Sequence, residues 1–256
     1  MGDIIEVLRC HECGELVMFK EEYELAPGRY FLNTRDCRCM RDEAASNQAD
    51  LSAARAEFER NANRRACFKE YADFKVCTFE RDDGKEPVPM RKAGNFAANF
   101  GRFRKDGAGL LLHGSSGTGK TFASACIANA VIDQGYTVML SNFASLVARI
   151  QAETYKGQNT MREVERCDLL IIDDLGIERS SSYMQEQVYN VIDARYRLGK
   201  PMVVSTNIVA CELANPRDVS CERIYSRILE KCLPVEFTVR RRTDVRKDEL
   251  AALLDA

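Results

Sequence analysis

GSSGTGKT at residues 114–121 is the stretch that decides the fold, because it matches the phosphate-binding loop pattern G-x-x-x-x-G-K-[ST]. An apolar run at 109–114 leads into it, and an uninterrupted helical pattern follows at 121–132. In such a loop the glycines let successive backbone N–H groups point into one concavity, and the helix that follows adds the positive end of its dipole. We therefore predict a nucleotide site formed by Gly114, Ser115, Ser116, Gly117, Thr118, Gly119, Lys120 and Thr121.

Apolar runs of strand length alternate with amphipathic helical stretches from residue 107 onward. Such alternation predicts an α/β fold with a five-stranded parallel sheet flanked by helices. The predicted strands are 109–113, 137–141, 169–173, 202–206 and 235–239. The predicted helices between them are 119–134, 143–154, 183–198 and 221–231.

Polar side chains stand at the carboxyl ends of two of these strands. Asp173 and Asp174 end the run LLIIDD, and Asn207 ends VVSTN. Parallel strands bring their carboxyl ends to one sheet edge, beside the phosphate-binding loop. There Lys120 would reach the β- and γ-phosphates, and Thr121 and Asp173 would hold Mg²⁺. Asp174 would orient or deprotonate the attacking water, unless it is merely a helix cap or loop acid, and Asn207 would sense the γ-phosphate.

Composition excludes several classes of protein. The chain has 256 residues, 45% of them hydrophobic and 30% charged, which is typical of a globular protein with one large domain or a medium and a small one. The longest uncharged run spans only 121–132, far short of the roughly 20 residues of a membrane span. The amino terminus lacks a basic start followed by an apolar stretch, so we expect a cytoplasmic protein without a membrane partner.

Overall charge gives no argument for nucleic-acid binding, since 37 basic residues face 39 acidic ones. Residues 91–105 are locally basic and contain no acid, which is one possible contact patch. The same segment carries Phe96, Phe100 and Phe103 at helical spacing, which favours a buried core stripe instead.

Four of the eleven cysteines form two tight pairs near the amino terminus. Four thiolates from two turns can surround a tetrahedral Zn²⁺. Because they fill all four coordination positions and leave none for water, the metal would be structural. The predicted ligands are Cys10, Cys13, Cys37 and Cys39, with His11 a bystander. The other seven cysteines lie among apolar residues and are interpreted as small buried hydrophobes. Changes in composition along the chain, together with the motifs, predict three regions. They are a zinc-binding module at 1–45, a helical linker at 46–77 and an ATPase domain at 78–256.

The motifs GSSGTGKT, LLIIDDLG, VVSTN and ERIYSRI, in this order, resemble those of AAA+ replicative helicase loaders of the DnaC type, and the cysteine module resembles the front end of phage and Gram-positive members. The resemblance implies an AAA+ P-loop NTPase that uses ATP. It implies that ATP hydrolysis is slow and depends on assembly of the oligomer and on bound DNA. It implies a replication protein that loads a hexameric replicative helicase onto single-stranded DNA and forms a homo-oligomer in the ATP state.

The resemblance also implies two arginine roles. Arg227, which aligns better than Arg223, would be an arginine finger that reaches a neighbouring subunit's site, unless both merely lie on a solvated helix face. Arg242 would be a second sensor, although Val239 stands where the family has glycine.

The resemblance further implies that the segment 141–156 binds single-stranded DNA through basic and aromatic side chains. Its candidate residues are Asn142, Phe143, Arg149 and Lys156, of which Phe143 could equally be core. Two other functions stay open: a transposition helper ATPase like IstB, whose relatives lack the cysteine front end, and a nucleotide-gated scaffold with negligible turnover. The shorter carboxylate of Asp174, where vigorous AAA+ motors have Glu, leaves the scaffold possible.

Overall fold

The computed structural model describes residues 4–22, 30–153, 160–176, 182–208, 210–214, 216 and 219–239. The chain divides into two compact units, residues 1–59 (the amino-terminal unit) and residues 60–256 (the carboxyl-terminal unit). None of the helices in the described ranges is long and apolar enough to cross a membrane.

The amino-terminal unit contains a three-stranded antiparallel sheet and most of a long helix. Its strands are β1 (Ile4–Arg9), β2 (Leu16–Glu22) and β3 (Tyr30–Thr34), and its helix is α1 (Arg38–Cys67), whose last turns belong to the carboxyl-terminal unit. A tight turn joins β1 to β2, closed by bonds from Gly14 N to Cys10 O and from Cys10 N to Glu15 O. This turn presents the first cysteine pair.

The carboxyl-terminal unit is built on a five-stranded sheet, as predicted. Its strands are β4 (Gly109–His113), β5 (Val138–Asn142), β6 (Leu169–Asp173), β7 (Met202–Thr206) and β8 (Cys232–Glu236). They lie in the order β5-β6-β7-β4-β8, and every pair is parallel. The helices are α2 (Pro87–Ala98), α3 (Phe100–Asp106), α4 (Lys120–Asp133), α5 (Phe143–Glu153), α6 (Thr160–Arg166), α7 (Ser182–Arg197), α8 (Ala210–Ala214) and α9 (Val219–Lys231).

The prediction of the last strand at 235–239 is wrong by three residues. Strand β8 begins directly after α9, with Cys232 opposite Gly109 and Glu236 opposite His113. The strand contains Pro234, which lacks a backbone N–H and argues against a central strand. The sheet tolerates this proline because β8 is an edge strand, paired on one side with β4.

Two apolar clusters cover the two faces of this sheet. Leu110 and Leu112 belong to one cluster and Leu111 to the other, because successive side chains of a strand point to opposite faces. Phe96 and Phe100 are 1% and 0% exposed in the first cluster, which confirms the core interpretation of the phenylalanine stripe. Among the scattered cysteines whose side chains are described, Cys77 is half-buried and the buried ones are Cys67, Cys126, Cys167, Cys221 and Cys232.

The segment after α1 returns to the core. It forms two short 3₁₀ turns, 72–76 and 79–81. Phe68 is buried in the first apolar cluster, and Tyr71, Phe74 and Phe79 pack against it. This aromatic segment, residues 68–79, therefore contributes to the carboxyl-terminal unit although its surroundings in the sequence are polar.

Candidate functional site

The phosphate-binding loop joins β4 to α4 in the conformation that its glycines permit. Gly117 and Gly119 have φ of 81° and 97°, in the left-handed region where glycine meets no steric penalty. A Cβ on Gly114 would lie 2.0 Å from the carbonyl oxygen of Phe237, so only glycine fits there. Thr118 fixes the turn by donating from its hydroxyl to Ser115 O at 2.9 Å.

Lys120 is the centre of a hydrogen-bond network at the start of α4. Its Nζ donates to Gly114 O at 2.7 Å, to Ser115 O at 2.9 Å and to Asn207 Oδ1 at 2.8 Å. Burial lowers the pKa of Lys120, while the nearby carboxylates of Asp174 and Asp173 act in the opposite direction. A buried ammonium beside open space is a strong attractor for phosphate oxygens.

Asp173 lies at the carboxyl end of β6 against the first turn of α4. Thr121 Oγ1 donates to its carboxylate, 3.0 Å from Oδ2, and Ser205 Oγ donates to Oδ1 at 2.5 Å. A hydroxyl oxygen and a carboxylate at this separation are hard oxygen ligands of the kind that Mg²⁺ takes beside phosphates. The donor set of Thr121 and Asp173 therefore fits the predicted magnesium site.

Asp174 differs from Asp173 in its backbone. Its φ is 55°, which is uncommon outside glycine and turns the chain sharply after the strand. Its N–H donates to Ser205 Oγ at 2.9 Å, and its Oδ1 accepts from Asn207 Nδ2 at 2.8 Å. Asn207 thus links Lys120 to Asp174, which places the ammonium, the amide and the acid in one chain of hydrogen bonds.

These groups line a cavity of about 350 Å³, large enough for a small-molecule ligand. Its lining residues are Phe74, Ser116, Gly117, Gly119, Lys120, Thr121, Phe122, Asp173, Asp174, Ser205 and Asn207. The structure thus brings the loop lysine and threonine together with both acids and the amide. The DNA candidate Phe143 lies elsewhere, 6% exposed in the second apolar cluster, so its core alternative is the correct one.

Sequence reasoning missed several side chains at this site, among them a serine and two aromatic residues. Ser205 bridges the two acids, and its signal was a hydroxyl in the otherwise apolar run of β7. Phe74 lines the cavity, and Tyr71 donates its hydroxyl to Asp173 Oδ2 at 3.5 Å. Burial and the Asp173 charge raise the pKa of Tyr71, so this hydroxyl stays protonated. The signal for both aromatics was the dense aromatic spacing of 68–79.

Arg227 lies on α9 and is held by α7 of the same chain. Its Nη2 is 2.9 Å from Asp193 Oδ1 and donates to Tyr189 Oη at 2.8 Å. The guanidinium also stacks over the rings of Tyr189 and Tyr196, at 4.7 and 5.4 Å from their centroids. Arg227 is therefore not on a solvated helix face, whereas Arg223 one turn earlier is exposed.

Three further predicted residues have simpler outcomes. Arg242 and Lys156 lie outside the described residues. Arg149 of α5 forms an ion pair with Glu163 of α6.

The four predicted zinc ligands of the amino-terminal unit converge. The Sγ atoms of Cys10, Cys13, Cys37 and Cys39 all lie within 4.8 Å of one another. Backbone N–H groups of Cys13 and Glu12 lower the pKa of Cys10 to about 6, which favours its thiolate. Hydrogen bonding with the sulfur atoms of Cys37 and Cys10 raises the pKa of the Cys39 thiol. Four sulfur donors at this separation fit a structural tetrahedral Zn²⁺.

The sequence profile of one family, described as IstB-like ATP binding protein, matches residues 50–246. The chain belongs to the IstB-like ATP binding proteins. This match spans the aromatic segment, the phosphate-binding loop and both acids that line or border the cavity.

Relatives with printed functions share part of the chain. The replicative helicase loader DnaI of Bacillus subtilis is 26% identical over 182 residues, which cover 64% of this chain and 58% of the relative. The replicative helicase loader DnaC of Buchnera aphidicola (strain Bp) is 30% identical over 129 residues, covering 46% and 50%. The chain thus spans about half the length of the curated relatives it matches.

Solved structures place the fold of this IstB-like chain among AAA+ proteins, as the sequence resemblance predicts. A crystal structure of the DnaC helicase loader superposes with a TM-score of 0.56 at 22% identity, covering 64% of this chain and 98% of that one. The replication initiator DnaA bound to AMPPCP and single-stranded DNA superposes with a TM-score of 0.54 at 21% identity, covering 70% and 55%. DnaI superposes with a TM-score of 0.51 at 27% identity, covering 62% and 87%.

Proposed function

We propose that the protein is an ATP-dependent replication factor that binds a hexameric replicative helicase and loads it onto single-stranded DNA. One observation carries the proposal: a cavity lined by the phosphate-binding loop and two acids lies in one unit of the chain, and a four-cysteine cluster lies in the other. Relatives named as helicase loaders, DnaI and DnaC, support the replication context. The domain division 1–45, 46–77 and 78–256 remains a prediction.

In this proposal each side chain of the cavity has a separate task. Lys120 binds the phosphates of ATP, since its ammonium is buried and already surrounded by oxygen acceptors. Thr121 and Asp173 hold Mg²⁺, which when bound neutralises charge on the phosphates. Asp174 orients the attacking water or accepts its proton, and Asn207 contacts the γ-phosphate, because its amide already joins Lys120 to Asp174.

Hydrolysis is tested by replacing the acid alone. Asp174→Asn should lower the hydrolysis rate at least about 100-fold and leave ATP affinity within about threefold, since the acid acts on water rather than on bound phosphate. The informative control is Asp174→Glu, which introduces the longer carboxylate of vigorous motors and should retain turnover. Equal turnover in Asp174→Asn and the parent would favour the scaffold without turnover.

Arg227 would act as an arginine finger toward the ATP of a neighbouring copy in the ATP-state homo-oligomer, exchanging its pair with Asp193 for a phosphate. Arg227→Ala and Lys120→Ala should each hydrolyse ATP poorly, while their mixture should recover activity in trans. Arg223→Ala is the matched control on the same helix. If no mixing ratio exceeds the activity of either variant alone, Arg227 is not a finger. Arg242 as second sensor stays a prediction.

Loading is tested with the full chain and the replicative helicase of its source. The parent should retain the helicase in pull-down and deliver it to circular single-stranded DNA in the presence of ATP. Cys37→Ser should lose the helicase and keep ATP binding, whereas Lys120→Ala should lose delivery and keep capture. A parent protein that captures no helicase but stimulates a transposase would instead support the transposition helper.

A further inference from the structure

Helix α1 carries an exposed stripe along its portion in the amino-terminal unit. The stripe residues follow one another at alternating spacings of four and three, and all are exposed. Leu51 and Phe58 are 72% and 68% exposed, large values for such apolar side chains. The stripe consists of Met40, Ala44, Asn47, Leu51, Ala54 and Phe58.

The spacing of the stripe is that of a coiled coil. Alternating steps of four and three average 3.5 residues, the repeat that keeps one seam facing a partner helix. Positions 44, 51 and 58 are then the a positions of successive heptads, and 40, 47 and 54 are the d positions. A helix that packs on a globular core needs a broader apolar face than these two rows.

The charged residues beside the seam determine what fits it. The g positions are acidic in all three heptads, and the e positions at 41 and 55 are basic. In a parallel pair of identical helices, a g position of one chain faces the e position of the next heptad on the other chain. Asp50 of each copy therefore faces Arg55 of the other, which gives two symmetric ion pairs. In an antiparallel pair g faces g, and acid would oppose acid along the seam. The charges therefore favour a second copy in parallel orientation.

The contacts that Arg55 makes within its own chain do not prevent it from pairing with Asp50 of a second copy. Arg55 bonds to Glu59 at 3.0 Å with side chains 82% and 64% exposed, an intrahelical pair worth little in water. Asn47 also fits a second copy, because an in-register parallel pair brings the two amides together, where each can satisfy the other. The two alanines reduce the buried apolar area, so the association should be weak and reversible.

We propose that α1 is a homotypic docking surface, through which two copies of the chain associate as a parallel, in-register coiled coil. The proposal goes beyond the loading function and does not depend on it, because it needs no helicase, DNA or nucleotide.

The test uses the 256-residue chain in sedimentation velocity from about 1 to 100 µM, without nucleotide, a concentration range suited to weak association. Leu51→Lys should raise the dissociation constant at least about tenfold, because it buries an unpaired charge in the seam. Ala53→Lys is the matched control: it adds the same charge on the same helix outside the seam and should leave association unchanged.

A charge-reversal set tests the orientation. Asp50→Arg and Arg55→Asp should each weaken association several-fold, and the double variant should restore it, because a parallel seam pairs these two positions across chains. In an antiparallel seam they do not face each other, so the double variant would bring no recovery.

Three outcomes would overturn the proposal. The first is a parent protein that stays monomeric across the whole range. The second is association that Leu51→Lys leaves unchanged. The third is a charge-reversal double variant as weak as either single one. If Leu51→Lys removed helicase capture and left self-association intact, the stripe would be a helicase surface and the homotypic pairing would be wrong, while the loading function would stand.

Discussion

The two units of this chain are stabilised in different ways. The carboxyl-terminal unit buries apolar side chains on both faces of a parallel sheet, in two clusters that meet across Leu110, Leu111 and Leu112. The amino-terminal unit has a small antiparallel sheet and four converging sulfur atoms. A small unit buries too little surface to stabilise itself by packing, so we expect this one to depend on a metal bound by the cysteine cluster. The two units should therefore respond to different treatments, one to removal of a metal and the other to disruption of its core.

The greatest loss of stability should follow removal of the predicted metal. Cys37→Ser, or a strong chelator, should unfold the amino-terminal unit, because a structural zinc site contributes roughly 10–16 kcal/mol of apparent binding energy. Hydrogen exchange should rise across residues 4–22 and 30–37 and stay unchanged in β4 and β6. Cys77→Ser is the control, since Cys77 is a thiol outside the cluster. A parent protein without zinc, or equal exchange in Cys37→Ser, would remove the distinction.

The next effect concerns the packing of the other unit. Arg195 is fully buried and donates to the carbonyl oxygens of Val164, Cys167, Asp168 and Pro201. Arg195→Met should lower the free energy of unfolding by about 3–5 kcal/mol, because several buried carbonyls lose their donors. Urea unfolding of that unit measures this change.

Arg197→Met is the matched control for Arg195, two residues away, 72% exposed and paired with Asp193. It should change the unfolding free energy by less than about 1 kcal/mol. Equal losses in the two variants would contradict a packing role for Arg195.

A smaller effect separates function from stability. Lys120→Ala should weaken ATP binding at least about 100-fold, or about 3 kcal/mol, because it removes a charged donor to phosphate. The zinc content should not change, because Lys120 lies outside the unit that holds the cysteine cluster. Isothermal titration with ATP and metal analysis of the same preparation give both readouts, and unchanged ATP affinity would refute the site.

The smallest effect is on pH dependence. Burial raises the pKa of Asp168, but hydrogen bonds from Thr137 and the charge of Arg104 outweigh it, so the pKa lies below its ordinary value. A carboxylate with a depressed pKa stabilises the fold above about pH 4 and loses that contribution as pH falls through the folded-state pKa. Asp168→Asn should cost about 1–2 kcal/mol at pH 7, and the difference should vanish in strong acid.

The cysteine cluster should respond to acid at a higher pH than Asp168 does. Thiolate ligands compete with protons, so zinc should leave as the pH falls toward about 5, before Asp168 is protonated. Hydrogen exchange at successive pH values should therefore show the amino-terminal unit opening first. Simultaneous opening of both units would contradict two independent stabilities.

Much of the fold and site could be predicted from the sequence, because parallel strands impose their own geometry. Apolar runs located β4, β6 and β7 at the correct residues, and the rule that their carboxyl ends share one edge predicted that Asp173 meets Thr121. The shared edge also accounts for the link from Lys120 to Asn207 across 87 positions. The local sequence pattern and the sheet topology are therefore enough to predict contacts of this kind.

What could not be predicted depends on the tertiary path of the chain. Phe74 reaches the cavity and Tyr71 reaches Asp173 because the aromatic segment folds back onto the core, a route that no local periodicity encodes. The pairing of Arg227 with Asp193 depends on how α9 packs on α7, which spacing along one helix does not reveal. The sequence pattern misplaces strand β8 because Pro234 has a different meaning at an edge and in a sheet centre.

Pro234 also determines how this sheet meets other molecules. An exposed edge strand is a template for further strands, and natural proteins block such edges to avoid aggregation. A proline is tolerated in an edge strand where its nitrogen faces outward, so an incoming strand finds no donor at that position. Glu236, exposed at the end of the same strand, adds a charge that such a neighbour would have to desolvate. Pro234 and Glu236 therefore disfavour backbone hydrogen bonding between the β8 edges of two copies. Reversible assembly of this chain would then use side-chain surfaces instead.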